Sequence, residues 1–198
     1  MEEVKKAPVN LYIESNPNPN TLKFVASFML IPEGLNMDYT SLEDAESSEL
    51  AQQLFTFPFV QGVFVMSNFV TVTKDAYTDW EEVKMGIKDH IKNYIDSGKP
   101  VVDLAKVKEK AVAELNTSSP SSSIDENIKG VLDEYIRPAV EQDGGAIHFH
   151  SFEAGTVKVV LQGACSGCPS STLTLKAGIE NLLKRMIPEV QQVEAING

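Results

Sequence analysis

Hydrophobic positions in the first hundred residues follow a two-residue period and then switch to a helical one. Val9–Ile13 and Leu22–Phe28 alternate as strands, and Asn16-Pro-Asn-Pro-Asn20 between them is rich in turn formers. Glu46 to Phe55 reads as a short helix, and Val63–Met66 with Phe69–Thr73 predicts a hairpin around Ser67-Asn68. From Asp79 the period changes: Trp80, Val83, Ile87, Ile91 and Tyr94 share one helical face, ended near Ser97-Gly98. Val101 to Leu115 predicts a further helix or semi-rigid extension. Trp80 with Ile87 and Ile91 is assigned to core packing, as are Phe55, Phe57 and Phe59 around Pro58.

Residues 117–123 read Thr-Ser-Ser-Pro-Ser-Ser-Ser, too polar to pack, and are expected to link a domain at 1–116 to another at 124–198. Beyond them, Ser123 and Glu126 suggest a capping box opening a helix through Val131, Leu132, Tyr135, Ile136 and Val140, kinked or split by Pro138. Asp143-Gly144-Gly145 reads as a turn or helix cap. Ile147, Phe149 and Ser151 alternate with His148 and His150, and Thr156–Leu161 follows the Ala154-Gly155 turn as the antiparallel partner. Leu175, Ile179, Leu182, Leu183 and Met186 then mark a helix stopped by Pro188, and Val190–Ile196 a last strand. The expected fold class is α+β: two small α+β domains joined by a Ser-rich linker, the second in α-β-β-α-β order. No internal repeat relates the halves.

Charge narrows the partners. The net charge of −11 is spread over both halves, with 11 Lys against 18 Asp and Glu in 1–116 and 6 Lys and Arg against 10 in 117–198. Neither half offers the cationic footprint that nucleic acid or an anionic membrane requires. No apolar run reaches transmembrane length, and Met1-Glu-Glu-Val-Lys-Lys6 lacks the apolar core of a signal peptide and the acid-poor character of a mitochondrial presequence. The expected location is cytoplasmic, and two cysteines three positions apart fit a reducing compartment.

Those two, Cys165 and Cys168, carry the chemistry. They lie in Leu161-Gln-Gly-Ala-Cys-Ser-Gly-Cys-Pro-Ser-Ser-Thr172, between a strand and a helix opened by Pro169. The helix dipole there favours thiolate, and Gly163 and Gly167 let the backbone curl around a bound object. Metal centres of this kind usually take four protein ligands, so two are missing. Four readings supply or avoid them. The plainest is two incidental buried cysteines, against which the Gly and Ser around both are set. A thioredoxin-like dithiol needs no metal, although it wants a βαβ start and a parallel sheet, whereas the strand here is expected in a hairpin. Zinc could add His148 and His150 from one strand face, residues otherwise explained as a solvated face. Alternatively, two chains meeting about a two-fold axis supply Cys165 and Cys168 twice, enough for one [4Fe–4S] cluster. The residues alone leave iron–sulfur and zinc both open. No Ser-His-Asp set, phosphate-cradling glycine loop or paired carboxylates accompany them, so turnover catalysis is not indicated.

Asp143-Gly-Gly145, followed by Gly155-Thr-Val-Lys-Val-Val-Leu-Gln-Gly-Ala-Cys-Ser-Gly-Cys-Pro-Ser-Ser-Thr-Leu-Thr-Leu-Lys-Ala-Gly-Ile-Glu180, closely resembles the NifU C-terminal-like domain of Nfu-type iron–sulfur proteins over roughly residues 124–196. Asn16-Pro-Asn-Pro-Asn-Thr-Leu-Lys-Phe24, Gly62-Val-Phe-Val and Phe69-Val-Thr-Val-Thr-Lys74 resemble the Nfu N-terminal domain. The resemblance implies a non-enzymatic carrier with Cys165 and Cys168 as ligands. It would receive a cluster from upstream assembly proteins and hand it to apo-proteins. One departure is Ala146, where such domains often carry Asp, a position expected in a turn or at the surface.

Overall fold

A computed structural model describes residues 9–107, 123–166 and 169–197 of the chain. They group into two compact units, residues 9–15 and 22–107 in the first and residues 16–21 and 123–197 in the second. The architecture is α+β, with two antiparallel-rich sheets and several helices. Most of the expected linker lies outside the described residues. So does most of the helix expected over 101–115, of which residues 104–107 are helical.

The first unit has a five-stranded sheet in the order β1-β2-β5-β4-β3. β1 (Leu11–Ser15) pairs antiparallel with β2 (Thr21–Ala26), and β4 (Val60–Met66) with β5 (Phe69–Lys74), joined at Ser67, whose φ is +48°. β3 (Asn36–Tyr39) was not expected from the sequence: it is a four-residue edge strand whose Asn36 and Asp38 hide the alternation, and only Tyr39 is fully buried. The expected helix at 46–55 divides into a 3₁₀ turn, Asp44–Ser47, and α1 (Glu49–Leu54). α2 (Trp80–Asp96) begins at the Asp79 cap and buries Ile87 and Ile91 completely against Phe24, Leu50, Leu54 and the valines of β4 and β5. Trp80, Phe55, Phe57 and Phe59 pack against the same core.

Ser48 holds two pieces of this unit together. Its Oγ accepts from the Ala51 amide, capping α1, and donates to the Val101 carbonyl at 2.6 Å. The residue is 1% exposed, so neither partner has solvent as a substitute.

In the second unit, α3 (Ser123–Val131) already includes Ser123, and the position where a cap would sit is outside the described residues. Pro138 lacks the amide that would bond the Glu134 carbonyl, and the turn before it, Leu132–Ile136, widens to a π-helix with the Arg137 amide reaching the Leu132 carbonyl. α4 (Arg137–Gln142) follows. The sheet runs β6-β7-β8: β6 (Gly145–Glu153) and β7 (Thr156–Gly163) form the expected hairpin, turned by Ala154 and Gly155, both at positive φ. α5 (Pro169–Met186) then returns the chain so that β8 (Gln192–Asn197) lies parallel to β7. A bulge between Phe149 and Ser151 shifts the register, so Phe152 rather than Ser151 faces the core opposite Val157. Ile128, Ile147, Leu161, Ile179 and Leu183 are each under 2% exposed, and burying each contributes about 1.5–3 kcal/mol. Met186, expected on the buried face, is 44% exposed at the helix end. Among the described residues no helix is long and apolar enough to cross a membrane.

Two outcomes test this account. Ser48→Ala should lower the stability of the first unit by about 2–3 kcal/mol, from the lost cap and the stranded Val101 carbonyl, measured by urea denaturation. Burial depresses the His90 pKa, and burial followed by the Arg137 charge depresses that of His148. The unfolded chain therefore binds protons that the folded chain resists once pH drops below about 6.5. Stability is retained above that pH and lost as pH falls toward the folded values, so the urea midpoint should decrease between about pH 7.5 and about pH 5.5. His90→Asn with His148→Asn should flatten that dependence.

Candidate metal centre

β7 carries alternate residues into the core, Val157, Val159 and Leu161, and delivers the chain to a turn at Ala164 and Cys165. Gly163, at φ +63°, lets it reverse. The Ser166 amide and Oγ both donate to the Gly163 carbonyl, at 3.1 and 2.9 Å, closing the turn. α5 starts three residues later. The strand, turn, helix and parallel strand thus form a βαβ unit around the cysteine turn. This corrects the expectation that the loop belongs only to a hairpin: β7 pairs antiparallel with β6 and parallel with β8. The topological objection to a dithiol function is therefore weaker than the sequence implies.

Cys165 is 7% exposed and belongs to the core cluster of the second unit. Burial, with the Asp143 carboxylate adding to it, pushes its pKa up to about 12. The sequence argument expected the helix terminus to favour thiolate at both cysteines; at Cys165 burial prevails. A helix dipole is worth at most about 2 kcal/mol, whereas raising a thiol from 9.0 to about 12 corresponds to about 4 kcal/mol. Cys165 is therefore a protonated thiol at neutral pH, and metal ligation there must displace a proton. Cys168, the other expected ligand, lies outside the described residues.

The Asp-Gly-Gly turn forms the other wall. Gly144 adopts φ +83°, and its carbonyl accepts from the Ala164 amide at 3.2 Å, pinning the turn to the cysteine segment. Gly145 has a different task. A Cβ there would stand 2.5 Å from the Gln162 carbonyl oxygen and 2.9 Å from Cys165 Sγ, so the backbone approaches the sulfur in a way only glycine permits. Sequence reasoning took the pair as a turn and missed this second role. The available signal was a second glycine at the start of a strand, where no turn needs it. Ala146 is 3% exposed within β6 and paired with Gln162, so the family-pattern departure falls on a buried strand position, correcting the turn or surface expectation. Asp143, Ala164, Cys165, Thr174 and Leu175 line a common cavity.

The histidines do not join this site. His148 pairs with Val160, while His150 is the bulged residue, exposed, with Nδ1 3.2 Å from Ser151 Oγ. Among the described residues no group of three or more His, Cys, Asp or Glu could hold a metal.

Gly145→Ala should destabilise the second unit by about 1–3 kcal/mol, because backbone and sulfur must both move. Gly130→Ala, where a Cβ meets nothing within 4 Å inside α3, should instead stabilise it by about 0.5–1 kcal/mol. Thermal melts of the metal-free protein compare the two.

Residues 128–194 match the NifU-like domain family, and residues 11–98 match the family described as scaffold protein Nfu/NifU N terminal. A relative from Drosophila erecta, named NFU1 iron-sulfur cluster scaffold homolog, mitochondrial, is 38% identical over 183 residues, covering 92% of this chain and 63% of the relative. One of the same name from Drosophila persimilis is 36% identical over 196 residues, covering 99% of this chain and 68% of the relative. A solution structure of a NifU-like protein from Saccharomyces cerevisiae aligns with TM-score 0.44 and 25% identity over 52% of this chain and 91% of that one. The expected cytoplasmic location is overturned, since these relatives are named mitochondrial. That expectation rested on the first six residues of a chain spanning 63% of the first relative's length, too little to judge an address. With both halves matched by their domain families and two thirds of a relative covered, this chain belongs to the Nfu/NifU family of iron–sulfur cluster scaffold proteins.

Proposed function

We propose that the protein carries a [4Fe–4S] cluster between two copies of itself, each contributing Cys165 and Cys168, and passes it to apo-proteins. The observation that carries this reading is the donor count: a 198-residue iron–sulfur scaffold chain with two cysteines cannot enclose a four-thiolate cluster alone. The cluster is cargo. Thiolates shared between two chains, each supplying half of the ligands, release it once a client offers better ligands. The buried state of Cys165 adds a proton to the exchange: the thiol gives up its proton as iron binds and regains it on release.

The proposal includes a division into domains 1–116 and 124–198, with 117–123 as the connection. The second domain holds the cluster and the first docks client and upstream assembly proteins. The family's scaffold role supports a non-enzymatic function in the mitochondrion, the compartment for which the relatives are named. A thiol–disulfide oxidoreductase using the same pair fits the βαβ setting. It does not fit Cys165, because a thiol held near 12 supplies little attacking thiolate at neutral pH.

Anaerobic reconstitution with iron and sulfide should give a brown protein of dimer mass with about four iron per two chains. Cys165→Ser and Cys168→Ser should each reduce bound iron at least about tenfold and leave a monomer, read by iron analysis and light scattering. One zinc per monomer, or disulfide reductase activity in the absence of metal, would sink the proposal.

A further inference from the structure

We infer that the outer face of the first half of α5, centred on Leu173 and Ala177, is the surface through which two copies meet. This inference rests on the cluster-sharing reading above and adds the surface that reading needs. Leu173 is 67% exposed, the most exposed large aliphatic residue among the described residues. Thr174, Ala177 and Gly178 are exposed beside it, and a Cβ at Gly178 would meet nothing within 4 Å. At 100° per residue, these four and Asn181 occupy one side of the helix, opposite the buried Ile179 and Leu183.

Position selects the occupant. The two thiols lie on the segment that enters α5. A cluster bound by both copies therefore draws the first turns of two α5 helices together. Leu173 is four residues, about 6 Å, beyond the start of that helix, within the zone the second copy must cover. About a two-fold axis such a face meets its own image, so every charge on it would meet a like charge.

The composition of the face suits that constraint. In a chain of net charge −11, Leu173, Thr174, Ala177, Gly178 and Asn181 carry none. The single acid of α5, Glu180, is turned aside, accepting from the Val193 amide at 3.0 Å and pairing with Lys184 at 2.6 Å. Lys184 and Arg185 are in the last turn, about 22 Å from the cysteine end and well beyond a Debye length of about 8 Å. The one charge in the half-helix beside the thiols, Lys176, falls about 20° from the buried Leu183 at 100° per residue and so off this face, while Lys184 and Arg185 sit where two helices joined at their N-termini are farthest apart.

The test uses the full chain, loaded anaerobically with iron and sulfide, in wild type, Leu173→Asp, Ala177→Asp and Met186→Asp, the last at the far end of the same helix. Mass by light scattering, iron content and the thermal melt of metal-free protein are read for each. Wild type and Met186→Asp should be dimers with about four iron per two chains. Leu173→Asp and Ala177→Asp should melt like wild type when metal-free, yet remain monomeric and retain under a tenth of the iron. If both aspartate variants load and dimerise as wild type does, the surface assignment is overturned and cluster sharing stands. If wild type itself takes no cluster, or holds one as a monomer, both fall together.

Discussion

The contact between Gly145 and Cys165 is the constraint around which the second unit is organised. It requires a backbone without a Cβ, a strand that starts where a helix-ending turn stops, and a sulfur 7% exposed beneath both. The hydrogen bond from the Ala164 amide to the Gly144 carbonyl fixes the same junction from the other side. Together they couple α4, the start of β6 and the end of β7 at one point, which is where the chain must next turn into α5. A sulfur so placed is both a core atom and a candidate metal ligand. The two roles pull its proton in opposite directions: burial and the Asp143 charge keep it, and ligation to iron removes it.

This tension gives the protein a cluster-free state of its own. A scaffold with two exposed thiolates would be reactive toward oxidants and stray metals between deliveries. Protonation and packing hold Cys165 as a buried, unreactive thiol in the metal-free fold. The parallel return of β8 beside β7 matters here, because it anchors the far end of α5 through Glu180 and the Val193 amide. The helix that leaves the cysteine turn is therefore held at its distal end and on its buried face, while Leu173, Thr174, Ala177 and Gly178 are left exposed.

Much of this was legible in the sequence, for reasons that can be named. Long amphipathic segments declare themselves, since α2 and α5 repeat an apolar residue every three or four positions over more than three turns. The β6–β7 hairpin was readable from alternation and from Ala154-Gly155. What escaped was short or set by distant partners. β3 has four residues and two of them are polar, so only its pairing with β4 makes it a strand. The bulge at His150 is invisible to a period-two reading, and it moved Phe152 into the core in place of Ser151. A histidine pair that looked like neighbours on one face was separated by the same bulge.

The candidate site divides in the same way. Spacing alone singled out Cys165 and Cys168 and counted the missing donors, because the number of sulfurs in a chain is a property of composition that folding cannot alter. The protonation of Cys165 could not be read from that spacing. A helix terminus argues for thiolate, and only the tertiary structure shows the sulfur buried near Asp143 and against Gly145. Local sequence determines which atoms a segment can offer, whereas desolvation and close approach depend on what other segments bring within a few ångströms, and that is decided when the chain packs.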